Sequence, residues 1–256
     1  MVHSGWRMRK DGPTASGSPN CAGLSVGQMF DRIAPTYDLL NHLLSLGRDY
    51  SWRRKTARQL RDDNALQVLD LATGTGDLLL SLLKARANIA GAVGLDVSEK
   101  MLDLCRAKLR RRGLAERAEL VCADAVGTPF PEGTFDAATM GFGIRNTADA
   151  AKTLREIHRI LKPGGTALIL EFSLPRHPAW RWCYLKYLRF MVPFIGALIS
   201  ADRHAYQYLN QSIEGFYQAE DFCALMRKAG FGEVSAIPLT FGVASIYRGV
   251  KGPISE

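Results

Sequence analysis

Five short apolar runs separated by helical stretches fill the middle of this chain, and that alternation restricts the fold more than any other feature. Val68-Leu69-Asp70-Leu71, Ala92-Val93-Gly94-Leu95-Asp96, Ala118 to Cys122, Phe135 to Met140 and Thr166 to Glu171 read as buried strands. A helix is expected from about Asp77 to Ala87. A second starts after Ser98, a suitable N-cap, and puts Met101, Leu102, Cys105 and Leu109 on one face. A third covers about Ala148 to Leu161, where the turn Lys162-Pro163-Gly164-Gly165 stops it before the fifth strand. Strands alternating with helices at this spacing make βαβ units, so the expected fold is α/β with a doubly wound, mostly parallel sheet. A last helix from Ala219 to Ala229 leads to Glu233 to Pro238 and Phe241 to Tyr247. These two form a predicted hairpin joined at Leu239-Thr240, which brings the strands to seven.

Two regions break the rhythm. From Gln28 the residues Met29, Phe30, Ile33 and Tyr37 lie on one helical face with a break at Pro35, and a second helix runs from about Ser51 to Leu60. Its basic face carries Arg53, Arg54, Lys55 and Arg58 and is read as exposed. Residues 176 to 215 are aromatic and basic and read as helices inserted between sheet elements. The expected organisation is a leader at 1–24, an N-terminal helical cap at 25–62, and a core at 63–175. A helical lid follows at 176–218, and the closing helix and strand pair occupy 219–256.

Charge and cysteine usage bound the function. With 33 basic and 25 acidic residues the chain carries +8, which points to an anionic partner without choosing among phosphates, nucleic acid and a membrane face. The five cysteines are scattered and never form C-x-x-C, so neither a disulfide framework nor a zinc ribbon is expected, no metal site is assigned, and a reducing cytoplasm is the simplest home. The leader holds no apolar core of the secretory type. The longest apolar run, Phe190 to Ile199, contains Pro193 and Gly196 and is half of the roughly 20 residues a membrane-spanning helix requires.

The turn after the first strand carries the chemistry. Asp70-Leu71-Ala72-Thr73-Gly74-Thr75-Gly76-Asp77 opens the following helix, where glycines let the backbone approach a ligand and the helix N-terminus offers unpaired N–H groups. A dinucleotide site would need a third glycine at position 79, which is Leu79. The arrangement D-x-A-x-G-x-G instead resembles motif I of S-adenosylmethionine (SAM)-dependent methyltransferases with a seven-strand fold. On that reading Asp70, Gly74, Thr75 and Gly76 form the cofactor turn. Asp96, at the tip of the second strand, accepts hydrogen bonds from the ribose hydroxyls, and Asp124-Ala125, after the third, meets the adenine. After the fourth strand no Pro-Pro or Pro-Cys occurs, which argues against methylation of nucleic-acid bases. Gly141-Phe142-Gly143-Ile144-Arg145-Asn146 stands there instead.

Three blocks carry a closer resemblance. They are Tyr37-Asp38-Leu39-Leu40-Asn41 through Leu44-Ser45 to Trp52, then Phe142-Gly143-Ile144-Arg145-Asn146, then Arg159-Ile160-Leu161-Lys162-Pro163-Gly164-Gly165 with Glu171-Phe172-Ser173. Together they resemble the ubiquinone/menaquinone biosynthesis C-methyltransferase family over roughly residues 28 to 251, with Tyr206, Tyr208-Leu209 and Ser212-Ile213 echoing a further segment. The chain departs from the family at Leu40, where Met is usual, at Asp49, where His is common, and at Gly141, where many members have a SAM-touching Ser.

The resemblance implies a Rossmann-like, class I SAM-dependent methyltransferase acting on demethylmenaquinol, and also on the polyprenyl benzoquinol precursor of ubiquinone. Removing a quinol hydroxyl proton pushes electron density onto the neighbouring ring carbon, which then attacks the methyl in line. By resemblance Arg145 and Asn146 are the relay for that step, with Tyr37 at the quinol pocket. The plain alternatives are a salt bridge for Arg145 and a core position for Tyr37. The polyprenyl tail needs an apolar path, and Trp180 to Ile199 mixes rings, aliphatics and cations as an interfacial helix does. The expected partners are thus a polyprenyl quinol and a membrane surface from the cytoplasmic side, with no nucleic acid and with a homodimer left open. Two other readings stay open on sequence alone: methylation of another hydrophobic small molecule, and a SAM-binding scaffold without turnover.

Overall fold

The structure is a computed structural model that describes residues 38, 41–42, 45–62, 65–86, 88–191 and 210–253. The leader, the helix expected around 28–37 with Tyr37, and the Tyr206 to Leu209 echo lie outside the described residues. The described chain runs α1 (Arg48–Ala57), β1 (Leu66–Leu71), α2 (Asp77–Ala85), β2 (Ile89–Asp96), α3 (Glu99–Arg111), β3 (Ala118–Cys122), β4 (Phe135–Gly141), α4 (Ala150–Ile160), β5 (Leu161–Phe172), α5 (Pro178–Lys186), α6 (Ala219–Lys228), β6 (Phe231–Leu239) and β7 (Ala244–Lys251). A π-helical turn, Tyr187–Met191, continues α5.

The seven strands form one sheet in the order β3-β2-β1-β4-β5-β7-β6, parallel except for β7, which runs antiparallel to both neighbours. The central strands β1, β4 and β5 are largely buried, whereas the edge strands β3 and β6 keep exposed positions such as Glu119 and Glu233. One layer packs Leu79, Leu82 and Leu83 of α2 with Leu168 and Leu170; the other packs Leu154 and Ile157 of α4 and Phe222 of α6 against Leu69, Met140 and Tyr247. The order of connection reverses between β1 and β4. That reversal opens a crevice at the carboxyl ends of these strands, where ligands of such sheets bind.

Three sequence expectations change. The Lys162 to Gly165 segment lies inside β5, not before it: the pairing jumps from Phe135↔Leu161 to Ala137↔Thr166, and the intervening residues bulge at Gly164, whose φ is 76°. The last two strands are longer and their turn is displaced. Leu239 pairs with Ala244, so Phe241 sits in the turn with φ 56° and does not start the strand. A bulky apolar residue next to an alternating run mimics the strand period. Third, the basic face of α1 is not wholly exposed, because Arg53 is buried against Asp49. Among the described residues no helix is long and apolar enough to cross a membrane.

Candidate active site

At the carboxyl end of β1 the chain turns through three left-handed residues, Ala72, Gly74 and Gly76 (φ 47°, 54° and 87°). Gly76 is the N-cap of α2, and a Cβ there would lie 2.3 Å from Cys105 Sγ on α3, so no side chain fits. Above Gly74 there is open space, so ligand can approach its backbone. Beneath the turn Asp70 is buried and accepts hydrogen bonds from the hydroxyls of Thr73 (2.6 Å) and Thr139 on β4 (2.5 Å). Burial pushes its carboxyl up to about 6, against the opposing pull of Thr139 and Thr73, with the negative charge of Asp96 adding to the rise.

Asp96 ends β2 and binds the turn from the side. Its Oδ2 accepts the Gly74 N–H (2.8 Å) and its Oδ1 the Ser98 N–H (2.9 Å). Ser98, not Asp96, caps α3, its hydroxyl accepting from Met101 N. Ala123 N–H donates to Asp96 O, which joins β2 to the loop holding Asp124 and Ala125 (3.0 Å). Asp124 is exposed and closes its own turn through Val126 N–H (2.9 Å), and Ala125 is buried. The structure therefore brings Asp70, Gly74, Gly76 and Asp96 into one cluster, with Asp124 and Ala125 on the adjoining loop.

Thr75 faces a second group. Its hydroxyl donates to Asp38 (2.5 Å) and accepts from Lys108 Nζ (2.9 Å), and Lys108 also pairs with Asp38 (2.6 Å) and Asp77 (2.5 Å). Arg53 and His42 approach Asp77 Oδ2 at 3.7 and 3.8 Å, and both bind Asp49. Burial alone would raise the Asp49 pKa, but Arg53, Ser45 and His42 together hold it below its usual range. This network ties the segment before α1 to the cofactor turn. Lys108 and Arg117 point inward although they lie in a basic stretch of the sequence, Arg117 donating to the carbonyls of Leu83 and Ile89. Only the adjacency of Asp77 to the glycine turn hinted at it.

The loop after β4 forms the other half of the site. Arg145 donates from Nη1 to Glu171 Oε1 (2.5 Å) and to Phe142 O (2.8 Å), and its guanidinium lies 5.3 Å from the Phe172 ring centre. Glu171, at the end of β5, is fully buried and also accepts from the backbone N–H groups of Phe172 (2.8 Å) and Arg145 (3.4 Å). Burial raises its pKa, partly offset by Arg145. The Arg145 side chain is only 4% exposed, and its Nε–H has no acceptor. Asn146 Nδ2 donates to the same Phe142 carbonyl (3.2 Å). Arg145 also borders a cavity of about 410 Å³ shared with Ile144, Phe216 and Tyr217. Behind the loop Trp52, Phe142 and Phe172 pack ring against ring, 4.6 to 6.2 Å between centres. Glu171 appeared in the sequence only inside a motif, and Phe216 and Tyr217 gave no signal.

A sequence model of the ubiE/COQ5 methyltransferase family matches residues 19–251. The chain belongs to that family. It is 48% identical over 221 residues to the demethylmenaquinone methyltransferase of Thermus thermophilus, covering 86% of this chain and 99% of that protein. It is 43% identical to the ubiquinone/menaquinone biosynthesis C-methyltransferase of Geobacter sulfurreducens, covering 90% of each. Among solved structures, the [4+2]-cyclase SpnF superposes with a TM-score of 0.65 at 20% identity, over 89% of this chain and 96% of that one. A SAM-dependent methyltransferase of Thermotoga maritima does so with 0.61 at 20% identity, over 88% and 99%. Those likenesses concern the fold. As a ubiE/COQ5 methyltransferase the protein needs a donor subsite and an acceptor subsite, and its two polar clusters lie at the carboxyl ends of β1–β2 and β4–β5.

Proposed function

We propose that this protein methylates the ring carbon of demethylmenaquinol to give menaquinol, and accepts the 2-polyprenyl-6-methoxy-1,4-benzoquinol precursor of ubiquinone as well. S-adenosyl-L-methionine is the methyl donor, and its sulfonium supplies an activated methyl group without help from an acid. Gly74, Thr75 and Gly76 would lie along the donor, Asp96 would accept its ribose hydroxyls, and Asp124 and Ala125 would flank its adenine. Asp70 would hold the turn in shape through Thr73 and Thr139. The open space above Gly74 and the Asp96 carboxylate beside it suit a ligand that offers hydroxyl donors.

The observation that carries the acceptor half is the Arg145 Nε–H, a buried donor without an acceptor among the described residues, beside a cavity lined by Ile144, Phe216 and Tyr217 together with the polar Thr147, Asp149 and Ser212. A quinol oxygen that becomes a phenolate is the acceptor such a donor lacks, and the aromatic walls suit its ring. Arg145 would stabilise the phenolate as a hydrogen-bond donor, and the hydroxyl proton would pass to water. Glu171 would fix the guanidinium in place, and Tyr37 and Asn146 would complete the pocket. Purified protein given SAM and each reduced quinol should yield a product heavier by one CH2. The wild-type chain, and not Asp96→Ala, should restore the methylated quinone in a strain deficient in quinone methylation. Failure of both quinols to gain mass would remove this reading.

The tail of such a substrate resides in a bilayer, and α5 with its π-helical continuation suits contact with one. Trp182, Phe190 and Met191 are exposed there, interleaved with Arg181 and Lys186. Vesicles containing phosphatidylglycerol should bind the wild type and lose an Arg181→Glu, Lys186→Glu variant. Equal binding of the two would end the claim.

A further inference from the structure

The turn between β6 and β7 holds its residues in costly conformations and leaves the Phe241 ring outside the core. Thr240, Phe241 and Gly242 have φ of 44°, 56° and 90°, a left-handed run in which a β-branched and an aromatic residue are out of place. Neighbours enforce it. Trp52 Nε1 donates to Thr240 Oγ1 (2.8 Å), Ser173 Oγ donates to Gly242 O (2.8 Å), and Val243 N–H closes on Thr240 O (3.2 Å). The outcome is a phenylalanine 75% exposed, stacked at 5.6 Å on Trp180 of α5, which is itself 49% exposed. A turn under that strain ordinarily takes Gly or Asn, so a bulky ring held outward calls for a use in contact with something else.

The surroundings indicate what that is. From Ser173 to Met191 the chain has four basic residues and no acidic one; Arg176 and Arg189 are paired with Glu220 and Glu214 of later segments, and Arg181 and Lys186 remain as the cations of the exposed face. Lys186 lies over the rings of both Trp182 and Phe190, at 5.6 and 5.2 Å, so cation and exposed aromatics form one surface. That combination complements an anionic lipid interface, where ring bodies enter the acyl boundary and cations stay among the headgroups. Trp52, which pins the turn, packs on Phe142 and Phe172 next to Arg145, so the turn is joined to the acceptor loop by direct packing.

We propose that Phe241, backed by Trp180, is a wedge that inserts into the anionic bilayer surface and sets the mouth of the acceptor pocket against the lipid. This deepens the membrane reading of α5 above and rests on it. The test is binding to phosphatidylglycerol-containing vesicles by the wild type, Phe241→Gly, Phe241→Trp and the Arg181→Glu, Lys186→Glu variant, with thermal unfolding of each. Glycine suits the left-handed turn, so Phe241→Gly should keep or raise the Tm while its vesicle affinity falls about tenfold or more. Phe241→Trp should bind like the wild type. Undiminished binding by Phe241→Gly, with binding lost in the α5 charge variant, overturns the wedge and leaves the α5 reading standing. A wild type that ignores the vesicles overturns both. If Phe241→Gly alters self-association and not lipid binding, the surface meets protein and the wedge is likewise overturned.

Discussion

Arg145 and Glu171 are an ion pair almost wholly out of water, a costly arrangement that apolar residues of similar size often replace without loss of stability. The pair sits at the carboxyl ends of β4 and β5, where the proposed acceptor subsite lies, and the proposed role of Arg145 there is open to test. Truncating Glu171 would leave a buried charge uncompensated, at a cost of about 3–5 kcal/mol, and would report on folding alone. Arg145→Lys keeps the charge but loses the planar fork. It should lower kcat about 100-fold, as loss of one donor to a developing oxyanion does, with SAM affinity by titration calorimetry unchanged. A matching loss of SAM binding would show that Arg145 merely holds the fold. Asp70 gives a second prediction. Its folded pKa of about 6 lies above the ordinary value of about 3.9, so between those pH values the folded state holds a proton the unfolded state has released. Stability from this group is therefore greatest below pH 4 and falls as pH rises toward and through 6. Relative to Asp70→Asn, the wild type should gain Tm on going from pH 7 to pH 4.5; a pH-independent difference would contradict the raised pKa. The placement of Asp70 and Asp96 beside the turn was legible in the sequence because the turn motif contains Asp70 and Asp96 ends the next strand. Glu171 was not, because its partner lies 26 positions away and only the β4–β5 pairing joins them.

At the level of elements, α2 and α3 approach so closely at the cofactor turn that Gly76 has no room for a methyl group beside Cys105 Sγ, and its φ of 87° is itself left-handed. Gly76→Ala combines both penalties and should destabilise the protein by more than the roughly 1 kcal/mol of a Gly-to-Ala change at an incompatible φ. Adding Cys105→Ala should recover the packing share and leave the backbone share. Denaturant melts of the two variants measure the split, and complete recovery would mean that φ carries no cost. The helices and strands were themselves readable from periodicity, as α3 illustrates with its Ser98 cap and its buried Met101, Leu102, Cys105 and Leu109. What periodicity missed is where long cations end. Arg53 and Lys108 satisfy every rule for an exposed face, and they turn inward because Asp49, Asp38 and Asp77 arrive from other parts of the chain.

For the whole molecule the open question was what an excess of eight positive charges serves. Several of the cations are spent internally, Arg53 and Arg145 on buried carboxylates, Lys108 on the half-buried Asp38 and Asp77, and Arg117 on helix and strand carbonyls. Those on α5 differ: among the described residues Arg181 is exposed with no carboxylate partner, and Lys186 lies over the rings of Trp182 and Phe190. If lipid attraction draws on these exposed charges, screening must weaken it, because the Debye length shrinks from roughly 10 Å at 0.1 M salt to about 3 Å at 1 M. The ring contribution is hydrophobic and survives salt. Vesicle binding should therefore drop steeply between low and physiological ionic strength and then level off at a residual set by Phe241, Trp180 and Trp182. In Phe241→Gly the residual should shrink while the salt-sensitive part persists; in the Arg181→Glu, Lys186→Glu variant the salt-sensitive part should vanish while the residual persists. SAM affinity, which in the proposed donor site rests on hydrogen bonds from the turn and Asp96, should hardly move across the same salt range. A salt response of equal size in both variants would mean that the charges of Arg181 and Lys186 and the ring of Phe241 do not make separable contributions.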